Sequence, residues 1–412
     1  MKKQIKTFLL IQTVFSLAVF ITFFQGRLRS YNSTMLALSY RNGFTSRALL
    51  GTIYHVIEKI LPGDQMNYSF ALGFGVFCTL LMIPALLWFS KTVLKKTEES
   101  ARIPAEILLL ILTLITMGTY SAGYNFLRVD MFMLLTSLIG ITLLIKDKAA
   151  FLCIPLSVIG VMFHQGYVFM YFNIILITTV VLFLKAEEKK DKIKYGAYTV
   201  LSFVFASIFF LYFEMFSRNS GREVYETVRS EAEKLSYKGI YHTTLLAHET
   251  LGVDLDDTEY VLRVLNRLQT PLYIFFMLPL IILFIVFLKK LFKNSKDNKQ
   301  KLSYIFYAIG AVTMAPSYIL KCDYGRWILS TVTYYIVSAL MLVAIGDKNT
   351  VNAVAELDTK VRKAPFAPMI LAYIVLFIPF LDVDICETIM HCLGLVDDIF
   401  PWLWDLPIWH YR

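Results

Sequence analysis

The chain has 412 residues, 57% of them hydrophobic and 17% charged, with a net charge of +9. Apolar runs of membrane-spanning length recur from end to end, which excludes a soluble domain carried on a single anchor. The excess positive charge is mostly lysine in short loops. No basic stretch carries a recognition pattern, so no nucleic-acid partner is expected.

About eleven spans are predicted, at roughly 7–24, 69–90, 104–123, 129–145, 149–165, 167–184, 195–213, 270–288, 302–320, 327–345 and 365–381. The expected class is all-α: a polytopic transmembrane helix bundle with an outer amphipathic helix and one larger outer loop. The whole chain, 1–412, reads as one integral membrane domain. Met1-Lys2-Lys3 leads into an apolar stretch with no small-residue cleavage site before Arg27, and this is read as a retained first helix.

Lysine sets the orientation. With the N-terminus inside, the cytoplasmic segments hold 22 lysines and the outer ones only Lys59, Lys234, Lys238 and Lys321. Arginine reverses the split: Arg102 and Arg362 lie inside and twelve others outside. Lysine is a compact charge that fixes topology, whereas the arginine fork grips phosphate and carboxylate in two-point contact. Arginines placed against the positive-inside trend point to an anionic ligand on the outer face. Contact with lipid headgroups is the other reading for any one of them. The expected orientation is therefore N-terminus cytoplasmic and C-terminus outside.

The first outer segment, 26–67, contains Phe44–Leu61, which reads as an amphipathic helix closed by Pro62-Gly63. Leu49, Leu50, Ile53, Ile57 and Ile60 form its apolar stripe, and Thr45 or Ser46 can cap its start. Arg41 and Arg47 flank that start and make a candidate anion cradle with the helix N-terminus.

Further along, Asn125-Phe-Leu-Arg128-Val-Asp130 opens the fourth span, the chain turns at Lys146-Asp-Lys148, and His164-Gln165-Gly166 closes the fifth. This spacing predicts Arg128 and His164 at similar depth on adjacent antiparallel helices. An ionisable residue at a span end is a functional candidate, and His164 suits a base or a donor to phosphate or sugar hydroxyl. A buried histidine bonded to a neighbouring helix is its bland alternative.

The second outer segment, 214–269, is slightly acidic, with ten Asp/Glu against seven Lys/Arg. It shows helical periodicity near Arg222–Leu235 and Thr258–Leu268 and is a candidate lid. Asp254, Asp256 and Asp257 lack calcium-loop spacing, and neither a metal nor another cofactor is expected.

At the ninth and tenth spans lies Lys321-Cys-Asp323-Tyr-Gly-Arg326-Trp327. Asp323 and Arg326 stand at pairing distance on one helical turn, and Tyr324 and Trp327 offer faces on which a sugar could stack. Cys78 and Cys153 read as core hydrophobes, and Cys322, Cys386 and Cys392 as outer-surface residues without a disulfide pattern. Trp402, Trp404 and Trp409 read as an interfacial belt.

Arg128 at a helix start, a lysine turn and then His164 resembles the Wzy/EpsG-type bacterial polysaccharide polymerases. The stretch Arg41–Gly51 and Asp323-Tyr-Gly-Arg326 are similar to membrane proteins of surface-polysaccharide loci. The resemblance implies a GT-C-like glycosyltransferase or polymerase of the bacterial plasma membrane, acting on an undecaprenyl-pyrophosphate-linked glycan beside membrane lipids and other polysaccharide-assembly proteins. It casts Arg128 and Arg326 on pyrophosphate, and Arg41 and Arg47 on phosphate or glycan. His164, Asp130 or Asp323 would be the base, with Gln165, Tyr324 and Trp327 as further substrate contacts. One departure stands out: Gly26–Glu58 holds no acidic residue before Glu58, where many GT-C enzymes carry one. A transporter or lipid-glycan flippase and a membrane O-acyltransferase are the competing readings.

Overall fold

A computed structural model describes residues 2–61, 66–122, 125–216, 221–252, 256–315, 324–366 and 369, with backbone alone at 256–273, 276 and 324. The described residues are predominantly helical, and their one β contact is an isolated bridge between Phe24 and Ala122.

Hydrocarbon offers the backbone no hydrogen-bond partners, so each long apolar run closes its bonds internally as a helix. Helix α1 spans Lys2–Phe23. A short α2, Ser30–Ala37, and α3, Leu49–Ile60, precede α4, Tyr68–Leu80, and α5, Met82–Lys96. Helix α6 covers Glu99–Ser121, α7 Val129–Lys146, α8 Cys153–Phe163, α9 Phe172–Lys185 and α10 Lys189–Phe216. Two shorter helices follow, α11 at Arg222–Leu235 and α12 at Thr243–Leu251. The chain then continues through α13, Asp256–Lys293, α14, Asn298–Ile309, α15, Tyr324–Ala344, and α16, Lys348–Lys363. Among the described residues six helical segments are long and apolar enough to cross a membrane. The predicted span at 365–381 and the Trp402–Trp409 tail fall outside the described residues, apart from the start of the former.

The helices alternate in direction and so sort their charges between two ends. At one end, Lys194 binds Asp147 at 3.1 Å, Lys185 lies 3.6 Å from Asp347, and Lys290 pairs with Glu356. This is the lysine end. Arg128 and Arg326 gather at the other, which we call the arginine end.

Two irregularities in the long helices are met by side chains. Helix α14 gives way to a 3₁₀ turn over Gly310–Met314, which frees carbonyls within the bundle. Tyr334 donates to the Tyr307 carbonyl at 2.9 Å, Tyr335 to Ala308 at 2.8 Å, and Asn173 to Gly310 at 2.9 Å. Gly310 is required there, because a Cβ would lie 2.0 Å from the Tyr334 hydroxyl. In α6 a π turn over Leu114–Gly118 rotates the helix end, so that Thr119 and Tyr120 face inward beside the arginines.

Helix α3 begins at Leu49 rather than Phe44, and Ala48 holds the N-cap position without a side-chain cap. Thr45 and Ser46 therefore do not cap it. Arg47 sits at φ 66°, which turns the chain before the helix, and the Ser46 hydroxyl is spent on Gln165. The predicted apolar stripe divides: Leu50 is buried, Leu49 and Ile57 are half-buried, and Ile53 and Ile60 are exposed. The inward face is Leu50, Gly51, Tyr54 and His55.

Candidate functional site

The arginine end is built around Asp130. Its position follows from the turn before α7, where Leu127 adopts φ 65°, a region unfavourable for a branched residue. The Arg128 amide donates to the Asn125 carbonyl at 3.0 Å, and its Nη1 donates to Asn125 Oδ1 at 2.9 Å. Arg128 is thereby folded back over its own loop, and Asp130 enters the first turn of α7, where the helix dipole favours an anion.

Arg326 lies in the first turn of α15, where the same dipole is unfavourable for a cation. Asp130 compensates it. Arg326 donates through Nε to Oδ2 at 2.8 Å and through Nη2 to Oδ1 at 2.7 Å. Arg128 Nε lies 3.5 Å from the same Oδ2. All three side chains are buried. Two guanidiniums thus converge on one buried carboxylate inside the bundle.

A small void adjoins this group, lined by Thr119, Tyr120, Tyr171 and Ser330 among others. The Tyr120 and Tyr171 hydroxyls are 3.0 Å apart, and Ser330 donates to Tyr171 at 3.3 Å. Thr119 Oγ1 is buried and makes no hydrogen bond among the described residues.

Above Arg128 lie α2, α11 and α12. The Arg128 guanidinium is 5.2 Å from the centre of the Tyr31 ring, and Tyr31 meets the His242 ring edge-on at 5.6 Å. His242 caps α12, its Nδ1 accepting from the Leu245 amide at 2.9 Å. Burial pushes its pKa below the ordinary value, and the charges of Arg128 and Arg47 push the same way, so the ring stays neutral and able to accept.

A second charged group sits on this cover. Arg41 donates to Glu231 of α11 at 3.0 Å and packs its Nη2 2.9 and 3.0 Å from the two ring nitrogens of His55. Burial first, and then the Arg41 charge, hold His55 down at about 4. Its 3.5 Å approach to Glu231 is therefore a contact with a neutral ring at pH 7, and the ion pair is Arg41–Glu231. Arg47 lies 3.3 Å from the buried Glu249 of α12, which also meets His248 at 3.0 Å.

Of the residues singled out in the sequence, Arg128, Asp130 and Arg326 come together. His164 and Arg128 occupy matching ends of the antiparallel pair α8 and α7. His164 Nδ1 accepts from the Gly166 amide at 2.7 Å, which leaves the ring proton on Nε2. Gln165 is engaged by Ser46. Asp323 and the Tyr324 side chain lie outside the described residues. Trp327 is only 5% exposed, so its ring is part of the core and not an open stacking face. Arg41 and Arg47 do not form an open cradle: acidic side chains of 214–269 are in contact with both. The sequence reading missed Glu231, Glu249, His55, His242 and Tyr31. The acidic excess of 214–269, opposite an arginine-rich first segment, was the available signal.

Among the described residues no group of His, Cys, Asp or Glu is arranged to hold a metal ion. No family model, no curated protein and no solved structure matches this chain.

Proposed function

We propose that the chain is a multi-pass membrane glycan polymerase or glycosyltransferase. On this reading its arginine end faces the outside of a bacterial plasma membrane and takes a polyprenyl-pyrophosphate-linked glycan. The observation that carries the reading is the buried Arg128–Asp130–Arg326 group. Burying charge within a bundle is expensive, and two guanidiniums held in fixed geometry suit a pyrophosphate whose charge grows as the sugar departs.

In such a reaction an acceptor hydroxyl attacks the anomeric carbon, the bond to pyrophosphate breaks, and the hydroxyl proton leaves. Asp130, committed to Arg326, serves to hold the arginines rather than to take that proton. On this reading His164, with Nδ1 accepting from the Gly166 amide, turns its Nε2 side to phosphate or hydroxyl as a donor when substrate binds. Asp323 remains the candidate base.

The test is mass spectrometry of lipid-linked glycans in a strain carrying Arg128→Ala at the native locus. Accumulation of one complete repeat unit identifies a polymerase, and accumulation of a truncated unit identifies an earlier transferase. An unchanged pool with unchanged surface polysaccharide rejects the proposal.

One observation favours a transporter instead, namely the broken helix at Gly310–Met314, since transporters place substrates at such breaks. Here Tyr334, Tyr335 and Asn173 already occupy carbonyls next to the break. That makes the arginine end the better site.

A further inference from the structure

At the lysine end the close of α9 meets the starts of α14 and α16, and a cavity of about 280 Å³ lies between them. Its walls are of two kinds. Val181, Leu184 and Leu342 belong to the apolar helices α9 and α15, whereas Lys185, Glu187, Asp297 and Lys299 stand where the chain leaves its apolar runs. Ser303, Tyr304 and Asp347 are buried, and Glu187, Asp297 and Lys299 are exposed, so the cavity opens from a buried floor to a charged rim.

The rim charges are not consumed by one another. Asp347 accepts from Thr350, Tyr304 and Gln300, and Lys185 Nζ lies 3.6 Å from it, beyond hydrogen-bond length. Asp297 uses Oδ1 to cap α14, accepting from the Gln300 amide at 2.8 Å. Lys299 and Glu187 enter no ion pair among the described residues.

We propose that this cavity binds a phosphoethanolamine headgroup, a phosphate diester that carries a primary ammonium. Lys185 and Lys299 donate to the phosphate oxygens, and Glu187 and Asp297 accept from the ammonium. The lining selects the class. Three carboxylates ill suit a site for phosphate alone, and two lysines ill suit a site for a simple cation, whereas a zwitterion meets both signs. The volume stands at the small end of ligand pockets, roughly 300–1,000 Å³, which admits a headgroup and little more. Apolar wall beside charged rim is the profile of a hydrocarbon boundary, where a lipid turns its acyl chains to the apolar side and its headgroup to the lysines. The site is separate from the arginine end and does not rest on the glycan reading.

The experiment is native mass spectrometry of the full chain in detergent, titrated with phosphatidylethanolamine, phosphatidylglycerol or phosphatidylcholine of matched acyl chains. Phosphatidylglycerol offers the phosphate without a cation, and phosphatidylcholine a cation without N–H donors. Phosphatidylethanolamine is expected to be retained about tenfold more tightly than either, the effect of one charge-assisted hydrogen bond. Lys299→Gln is expected to lower that retention by about the same factor, and Glu187→Lys to turn the preference toward phosphatidylglycerol. Both positions are exposed, so these variants test the site and not the fold. Equal retention of phosphatidylethanolamine and phosphatidylcholine overturns the proposal, as does phosphatidylglycerol held as tightly by the parent protein. A preference that survives both substitutions overturns it as well. Glycerophosphoethanolamine, which lacks acyl chains, separates the two sources of the headgroup. Displacement of the retained lipid supports the site with a soluble ester as a competent ligand. Resistance to displacement, with the preference and the variants behaving as stated, supports it as a lipid site.

Discussion

Arg326 and Asp130, 196 residues apart in sequence, hold each other through two hydrogen bonds of 2.8 and 2.7 Å inside the bundle. The pair fixes the start of α15 against the start of α7. Removing one partner takes this two-point contact away from a buried charge. Asp130→Ala is therefore expected to destabilise the protein by about 3–5 kcal/mol, because Arg326 and Arg128 then face each other without their shared carboxylate. The double variant Asp130→Ala/Arg326→Ala should lose less than the two single losses combined, by about 1–3 kcal/mol. Thermal unfolding in detergent of the four proteins measures this. Strict additivity would show that the contact contributes nothing as a pair.

Gly51 marks where α3 crosses the chain after α2. A Cβ there would fall 1.8 Å from the Leu38 carbonyl oxygen and 2.7 Å from that of Leu36. Backbone cannot move aside as a flexible side chain can, so Gly51→Ala must push α3 outward and carry Arg47 and His55 with it. A loss of about 2–3 kcal/mol is expected, in the range of an overpacked core. Gly73→Ala is the control: that position lies in α4 with open space around it, and alanine is the better helix former by about 1 kcal/mol. Equal effects of the two substitutions in a thermal shift assay would contradict the crossing.

The helices were legible because hydropathy and backbone satisfaction act together in hydrocarbon. The fourth span was expected at 129–145, and α7 covers Val129–Lys146. Arg222–Leu235 was readable from period alone and is α11. Partners were not legible. Arg326 was read beside Asp323, since a three-residue spacing is visible in sequence, whereas a carboxylate 196 positions away is not. The start of α3 was misplaced for a similar reason. Ser46 looks like a cap locally, but its hydroxyl is claimed by Gln165 in tertiary contact, and a positive φ at Arg47 delays the helix. The broken end of α14 was also hidden, because the tyrosine hydroxyls that stabilise it read as ordinary aromatic composition.

His55 should impose a pH dependence on the arginine end. Its pKa in the folded protein is about 4 against an ordinary value of 6.5, through burial first and Arg41 and Lys59 after it. As pH falls through 6.5 the unfolded chain takes up the proton before the folded one does, so stability declines from there down to about pH 4. Glu231 has the opposite sign. Its raised pKa means the folded protein protonates first, which partly offsets the decline just above 4.5. Melting temperatures of the parent and of H55Q between pH 7 and pH 4.5 separate the two effects. The fall should be shallower in H55Q, and superimposable profiles would remove His55 from the account.

The lysine end offers a prediction independent of function. Asp347 caps α16, accepting from the Thr350 amide at 3.0 Å and the Thr350 hydroxyl at 2.6 Å. It also accepts from Tyr304 at 2.6 Å and Gln300 at 3.2 Å, with Lys185 3.6 Å away. Burial alone would raise its pKa, but the bonds from Thr350 and Tyr304 and the Lys185 charge outweigh burial and hold it below the ordinary carboxylate value. Asp347→Ala removes a cap and strands buried donors, so a loss of about 2–4 kcal/mol is expected at neutral pH. Asp347→Asn keeps an acceptor and should cost less. A depressed pKa contributes stability above the unfolded value of 3.8 and loses it as the pH falls below, so the gap between parent and Asp347→Asn should close in that range. A gap that stays constant with pH would mean that the carboxylate acts through shape and not through charge.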